Sequence, residues 1–302
     1  MDPLLIPFGF GVGFLVGMTG MGGGSLMTPL LILVFGTAPV TAVGSDITYA
    51  AATKTVGGWR HLRLKTVNLG LSFWLAIGSV PAAIAGVWVI EWLHDRYGND
   101  LDDIVLTMLA IALVVVGVVV LVRTLFMPNA VNGERHEFEL TRRHKIAAVV
   151  IGASTGFVIG LTSAGSGTLI AVFLIAYYRL VPRTVVGTDV FHAAILLWAA
   201  AIAHVAAGNV DFGLVGAILL GSLPGVWIGS HLSVKLPSGV LRTALGTVMI
   251  AAALALFNKA GLELPVVVMI AVPVALAVVL AVRALVQRPR QPVRAASSPG
   301  ET

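Results

Sequence analysis

The sequence predicts an all-α integral membrane protein made of two inverted repeats, with about seven transmembrane helices and two re-entrant hairpins. Three observations predict it. The 302 residues are 58% hydrophobic and 11% charged, where a soluble domain carries about 25% charge. Apolar runs near the ~20 residues that span a bilayer recur along the whole chain. Residues 13–86 match residues 156–229 without a gap at an offset of 143, with about two dozen of 74 positions identical.

The apolar segments run over residues 4–36, 39–59, 67–93, 104–122, 146–178, 183–207, 212–234, 240–257 and 265–286. Segments 4–36 and 146–178 each hold 33 residues. A straight helix that long reaches ~50 Å, beyond a ~30 Å hydrocarbon core. Both are interrupted midway, at Thr19-Gly20-Met21-Gly22-Gly23-Gly24-Ser25 and at Thr162-Ser163-Ala164-Gly165-Ser166-Gly167-Thr168. Glycine and small hydroxyl residues at this density end helices. The repeat aligns these breaks. It also aligns Val43-Gly44-Ser45-Asp46 with Val186-Gly187-Thr188-Asp189, His61 with His204, and Gly78-Ser79-Val80-Pro81 with Gly221-Ser222-Leu223-Pro224.

Charge sets the topology. If 146–178 crosses the membrane once, nine basic residues fall on each side. If it is a hairpin turning at its glycines, 16 lie on one side and only Arg96 and Lys259 on the other. The positive-inside rule favours the hairpin, and repeat symmetry makes 4–36 a hairpin entering from the opposite face. The expected organisation is a first repeat over 1–122 (hairpin plus three spans), a cytoplasmic linker over 123–145 and a second repeat over 146–257. An additional span over 258–287 and a cytoplasmic tail over 288–302 follow. The N-terminus is expected outside and the C-terminus in the cytoplasm. Met1-Asp2-Pro3-Leu4 has no basic stretch, so no cleavable signal peptide is expected.

Inverted repeats with broken helices meeting at the midplane are a transporter architecture. Helix N-termini after Gly24 and Gly167 would turn N–H groups and positive dipole ends inward, an anion site without side-chain charge. Thr19, Ser25, Thr162, Ser163, Ser166 and Thr168 add hydroxyls, and Gly22, Gly23 and Gly165 leave the backbone open to a ligand. The competing reading of these small residues is close helix packing. Asp46 and Asp189 lie about two turns into apolar spans, where an ionisable residue is costly. They either couple or gate transport, or brace free N–H groups of the neighbouring hairpin. Lys54, whose repeat-mate is Leu197, either neutralises an anionic substrate or extends toward the inner face. His192 is either a proton partner of Asp189 or a packing histidine. His61 and His204, at span ends, are expected at the interface, and Pro81 and Pro224 read as kinks.

Other chemistries are excluded. Without cysteine there is no disulfide or thiolate site. No P-loop and no His-Glu-x-x-His run is present, so neither ATP hydrolysis nor a cofactor or metal is expected. A serine hydrolase built on Ser166 with His192 or His204 explains less than the symmetric hairpins do.

The Gly20-Met21-Gly22-Gly23-Gly24 break, the two Val-Gly-Ser/Thr-Asp segments and the two Gly-Ser-x-Pro segments resemble the TauE/SafE sulfite exporter family over roughly residues 5–257. In the second half the glycine signature is modified to Ser163-Ala164-Gly165-Ser166-Gly167. The resemblance implies a multi-pass protein of the bacterial plasma membrane, not an enzyme. It implies secondary transport of a small sulfur-containing anion such as sulfite or an organosulfonate like sulfoacetate. A proton or sodium ion is the expected coupling partner, no nucleic acid is expected, and a homodimer is compatible. The alternative is a cation-coupled carrier or channel for another small ion.

Overall fold

The computed structural model describes residues 3–19, 24–126, 140–165, 169–232 and 238–286. Gly22, Gly23, Ser166, Gly167, Thr168, most of the 123–145 linker and the 288–302 tail lie outside the described residues. So does the Thr19 side chain. Eleven α-helices are described: α1 (Leu5–Thr19), α2 (Gly24–Val34), α3 (Pro39–Arg63), α4 (Leu69–Tyr97), α5 (Leu101–Phe126), α6 (Arg142–Thr162), α7 (Leu169–Ala176), α8 (Pro182–Ala206), α9 (Phe212–Leu232), α10 (Ser238–Phe257) and α11 (Val266–Val286). The acidic stretch over residues 91–103, between the apolar segments, is largely helical, because α4 continues to Tyr97 and α5 starts at Leu101.

Among the described residues, six helices are long and apolar enough to cross a membrane: Leu69–Tyr97, Leu101–Thr124, Arg142–Thr162, Pro182–Ala206, Phe212–Leu232 and Thr243–Leu262. The expected spans include two helices outside this set, α3 and α11, and omit one inside it, α6. α3 has the length but is too polar, with Ser45, Asp46 and Thr48 buried in the interior. α11 has 21 residues, Val266–Val286, of which the stretch Val266–Val279 is described in full. α6 is long enough to cross although it belongs to an expected hairpin. Large apolar side chains such as Trp88, Leu220 and Trp227 are two-thirds exposed on the outside, as a lipid-facing surface requires.

Glycine spacing fixes how the helices pack. Gly9, Gly13 and Gly17 set α1 against the backbone of Ile218, Ser222 and Val226 on α9. Gly152, Gly156 and Gly160 set α6 against Leu75, Ser79 and Ala83 on α4. Both contacts are parallel, and each first helix packs on the fourth helix of the other repeat. A Cβ at Gly13 or Gly156 would meet the carbonyl of Ser222 or Ser79, so only glycine permits the approach. The equivalent helices α3 and α8 instead run antiparallel. Thr55 accepts from the Trp198 indole at 2.8 Å. Gly44 near the start of α3 abuts Asn209 beyond the end of α8, and Gly187 near the start of α8 abuts Thr66 beyond the end of α3.

Each interrupted segment doubles back on itself. Phe8 of α1 stacks edge-on with Phe35, just past α2, at 4.8 Å. Tyr178, just past α7, donates its hydroxyl to the His144 carbonyl at the start of α6 at 2.8 Å. Phe35 and Tyr178 are repeat-mates. The second closure brings Arg179 and Arg183 to the end of the bundle that carries Arg142, Arg143 and Lys145. Arg60, Arg63 and Lys65 lie there too, because Thr66 meets Gly187 and Gly70 meets Leu140. The opposite end carries Glu91, Asp95, Asp100, Asp102 and Asp103. There Lys259 donates to the Ile32 carbonyl in the last turn of α2 at 2.9 Å.

Candidate functional site

The repeated Val-Gly-Ser/Thr-Asp segment lies in the first turns of α3 and α8, and each residue in it has a distinct task. Gly44 and Gly187 admit the neighbouring interhelix turn. The hydroxyl that follows caps that turn: Ser45 accepts from Asp211 N, and Thr188 from Asn68 N, both at 3.0 Å. Asp211 and Asn68 then cap α9 and α4 by accepting from Leu214 N at 3.0 Å and Leu71 N at 2.9 Å. These two latches are related by the repeat and sit at opposite ends of the bundle.

The aspartate that completes the motif faces the interior, and here the halves diverge. Asp46 is fully buried. Its Oδ2 accepts from Thr28 of α2 at 2.5 Å and from Ser163, after α6, at 2.8 Å. Its Oδ1 has no hydrogen-bond partner among the described residues. Asp189, also buried, has no such hydroxyls among the described residues. Its Oδ2 lies 3.9 Å from Lys54 Nζ, and its Oδ1 has no partner among the described residues. The repeat explains the difference. Thr28 corresponds to Ala171, Ser163 to Gly20, and Lys54 to Leu197.

The two breaks touch. Ser163 ends α6 in the left-handed region at φ +57°, and Gly165 follows at φ +89°. The Gly165 N–H donates to the Ser25 hydroxyl at 3.3 Å, joining the second break to the first turn of α2. Ser25, Ser163, Gly165 and Asp46 therefore come together, and Lys54 and Asp189 pair with each other between α3 and α8. Gly24 begins α2. Thr162 turns its hydroxyl back to the Val158 carbonyl at 2.7 Å. His192 is fully buried, and its Nε2 is hydrogen-bonded to the Ser79 hydroxyl at 2.8 Å. Its repeat-mate Tyr49 faces Ser222, the mate of Ser79. His204 departs from the interfacial expectation. It is fully buried, and its Nε2–H donates to the Gly160 carbonyl at 3.1 Å, because the end of α8 lies inside the bundle against α6.

Thr28 and Ser79 were not singled out in the sequence. Thr28 lies three residues after Ser25 on the same face of α2, a spacing that could have found it. Its mate is alanine, so repeat symmetry hid it.

Among the described residues, two cavities flank the interior. One of about 530 Å³ at the acidic end is lined by Glu91, His94, Asp102 and Asn209 among others. Asn209 donates to Glu91 Oε1 across it at 2.8 Å. An apolar one of about 260 Å³ lies beside Thr162 and Leu169 between α5, α6 and α7.

Comparison with known proteins supplies the family. The profile described as "Sulfite exporter TauE/SafE" matches residues 5–256. The probable membrane transporter protein YjnA of Bacillus subtilis (strain 168) is 38% identical over 256 residues, covering 85% of this chain and 100% of that one. The probable membrane transporter protein YdhB of the same organism is 25% identical over 242 residues, 80% of this chain and 94% of that one. The probable membrane transporter protein MJ0441 of Methanocaldococcus jannaschii is 27% identical over 175 residues, 56% of this chain and 59% of that one. No solved structure matches significantly. With six described helices long and apolar enough to cross a membrane, the chain belongs to the TauE/SafE sulfite exporter family of membrane transporters, and it is a multi-pass membrane protein rather than an enzyme.

Proposed function

We propose that the protein is a secondary carrier for a small sulfur-containing anion, sulfite or an organosulfonate such as sulfoacetate, bound where the two breaks meet. The observation that carries this is the contact of Gly165 N–H with the Ser25 hydroxyl in the buried interior. The start of α2 turns positive dipole toward this junction, and Lys54 supplies a buried positive charge on the adjoining helix. Thr19, Gly22, Gly23, Gly24, Ser166, Gly167 and Thr168 complete the cradle in this reading. The antiparallel contact of α3 and α8 supports inverted repeats, because equivalent helices of a parallel repeat would point the same way. The closures at Phe35 and Tyr178 support re-entrant hairpins. By the positive-inside rule the basic end is cytoplasmic, with the N-terminus outside and the C-terminus inside the plasma membrane. Cysteines placed singly at Arg142 and Arg183 will then be labelled from the cytoplasm alone; external labelling at 183 contradicts the hairpin.

Purified protein will be thermally stabilised by sulfite, sulfoacetate or another sulfonate more than by simple carboxylates, and liposomes will show counterflow of that anion. Gly165→Val, at φ +89° with its Cβ about 3.0 Å from Leu169, will abolish transport while protein still reaches the membrane. Wild-type uptake by that variant would return Gly165 to a packing role. A second reading, a cation-coupled carrier or channel, is favoured by the acid-lined cavity of about 530 Å³ and the hydroxyl-held Asp46. Stabilisation by cations alone, without trans-stimulation by any anion, would select it.

A further inference from the structure

Two buried carboxylates at equivalent positions are held by different forces. Asp46 is fastened by two hydroxyl donors. Asp189 is held by charge: its ion-pair partner is Lys54 at 3.9 Å, longer than a hydrogen bond, and its second oxygen has none among the described residues. Both side chains of that pair are about nine-tenths buried. A carboxylate held this way fills the role any small oxyanion could fill, that of a single negative charge beside a buried ammonium.

Protonation removes the charge that Asp189 offers to Lys54. The buried ammonium is then left without a counter-ion, an unfavourable state unless another anion takes the place. Anion binding and proton binding therefore favour each other, and by linkage each strengthens the other equally. Among the described residues, the surroundings add no second carboxylate at this position. α3 contributes Lys54, with Asp46 and Tyr49 further toward its start. α8 contributes His192, one turn on and bonded to Ser79 of α4. α5 brings the Arg123 charge to bear on Asp189. α7 has no titratable side chain, and those of α6 lie in its first turn.

We propose that Asp189 is the resident counter-anion of Lys54, and that a substrate oxyanion replaces it there as the carboxylate takes up one proton. The proton comes from solvent and stays on a carboxylate oxygen of Asp189, and no covalent bond to substrate forms. The consequence is obligatory movement of one proton with each monoanion. This rests on the anion-carrier reading above and specifies its coupling.

The test is calorimetric titration of the purified full chain with sulfite, methanesulfonate and sulfoacetate, in buffers of different protonation enthalpy. This measures protons taken up per anion bound, after subtraction of the anion's own titration. Wild-type protein is expected to take up one proton per anion. Asp189→Asn is expected to bind at least as tightly with no uptake, and Lys54→Gln to lose about tenfold or more in affinity. Anion binding by wild type without proton uptake overturns this proposal and leaves the anion reading standing. Uptake by Asp189→Asn equal to that of wild type overturns it too. Absence of binding of all three anions to both proteins overturns the anion reading and this proposal with it. The wild-type measurement decides the proposal even where a variant does not fold.

Discussion

Asp46 and Asp189 begin from the same four-residue motif, on helices of the same length, at the same depth. Yet Asp46 sits among hydroxyls that tie α3 to both interrupted segments, while Asp189 sits against Lys54 and is tied to neither by a described hydrogen bond. Three substitutions between the repeats produce the contrast: Thr28 against Ala171, Ser163 against Gly20, and Lys54 against Leu197. The scaffold around them has not diverged. The glycine crossings and both turn latches match residue for residue. The division is physical: symmetric contacts build the frame, and asymmetric ones give the two carboxylates separate work. A hydroxyl cage holds a carboxylate in place, whereas a bare ion pair can be broken by a proton or by a competing anion.

The largest effect is expected on the ionic side. Lys54→Met leaves a buried carboxylate uncompensated and should destabilise the purified protein by about 3 kcal/mol or more. Adding Asp189→Asn to it should restore most of that stability in thermal unfolding. Additive losses instead would show that the two charges do not depend on each other. Next come the glycine crossings. Gly13→Leu and Gly156→Leu should each cost roughly 1–3 kcal/mol, and equally, because each forces apart the same backbone contact. A large inequality would mean that the frame is less symmetric than its contacts. Smallest are the latches. Ser45→Ala and Thr188→Val should each lose about 0.5–1.5 kcal/mol, again nearly equal.

The frame was legible in the sequence because the chain is its own comparison. The 143-residue offset aligned the breaks, the Val-Gly-Ser/Thr-Asp segments and the Gly-Ser-x-Pro segments. Glycine density then located the interruptions between α1 and α2 and between α6 and α7. What repetition cannot reveal is what differs between the halves. Thr28 escaped because its mate is Ala171, and the Lys54–Asp189 pair because Lys54 has no charged mate. α3 was read as a span from its length. Its buried polar residues Ser45, Asp46 and Thr48 face the interior, a direction that hydropathy alone does not give. His204 was placed at an interface from its position near a helix end, but the neighbouring α6 covers that end and offers the Gly160 carbonyl. Tertiary packing, which a linear reading lacks, decided both.

The account's central claim is that the two aspartates do different work, and one comparison tests it most directly. Asp46→Asn and Asp189→Asn are reconstituted in liposomes. Sulfite accumulation driven by a pH gradient is then measured beside equilibrium sulfite exchange. An asparagine at 46 can still accept from Thr28 and Ser163 through its amide oxygen. Asp46→Asn should therefore keep driven accumulation, with stability falling by roughly 1–3 kcal/mol at most. Asp189→Asn cannot take up the coupling proton, so driven accumulation should disappear while exchange persists. Accumulation that survives in Asp189→Asn, or is lost in Asp46→Asn while exchange remains, would contradict the account.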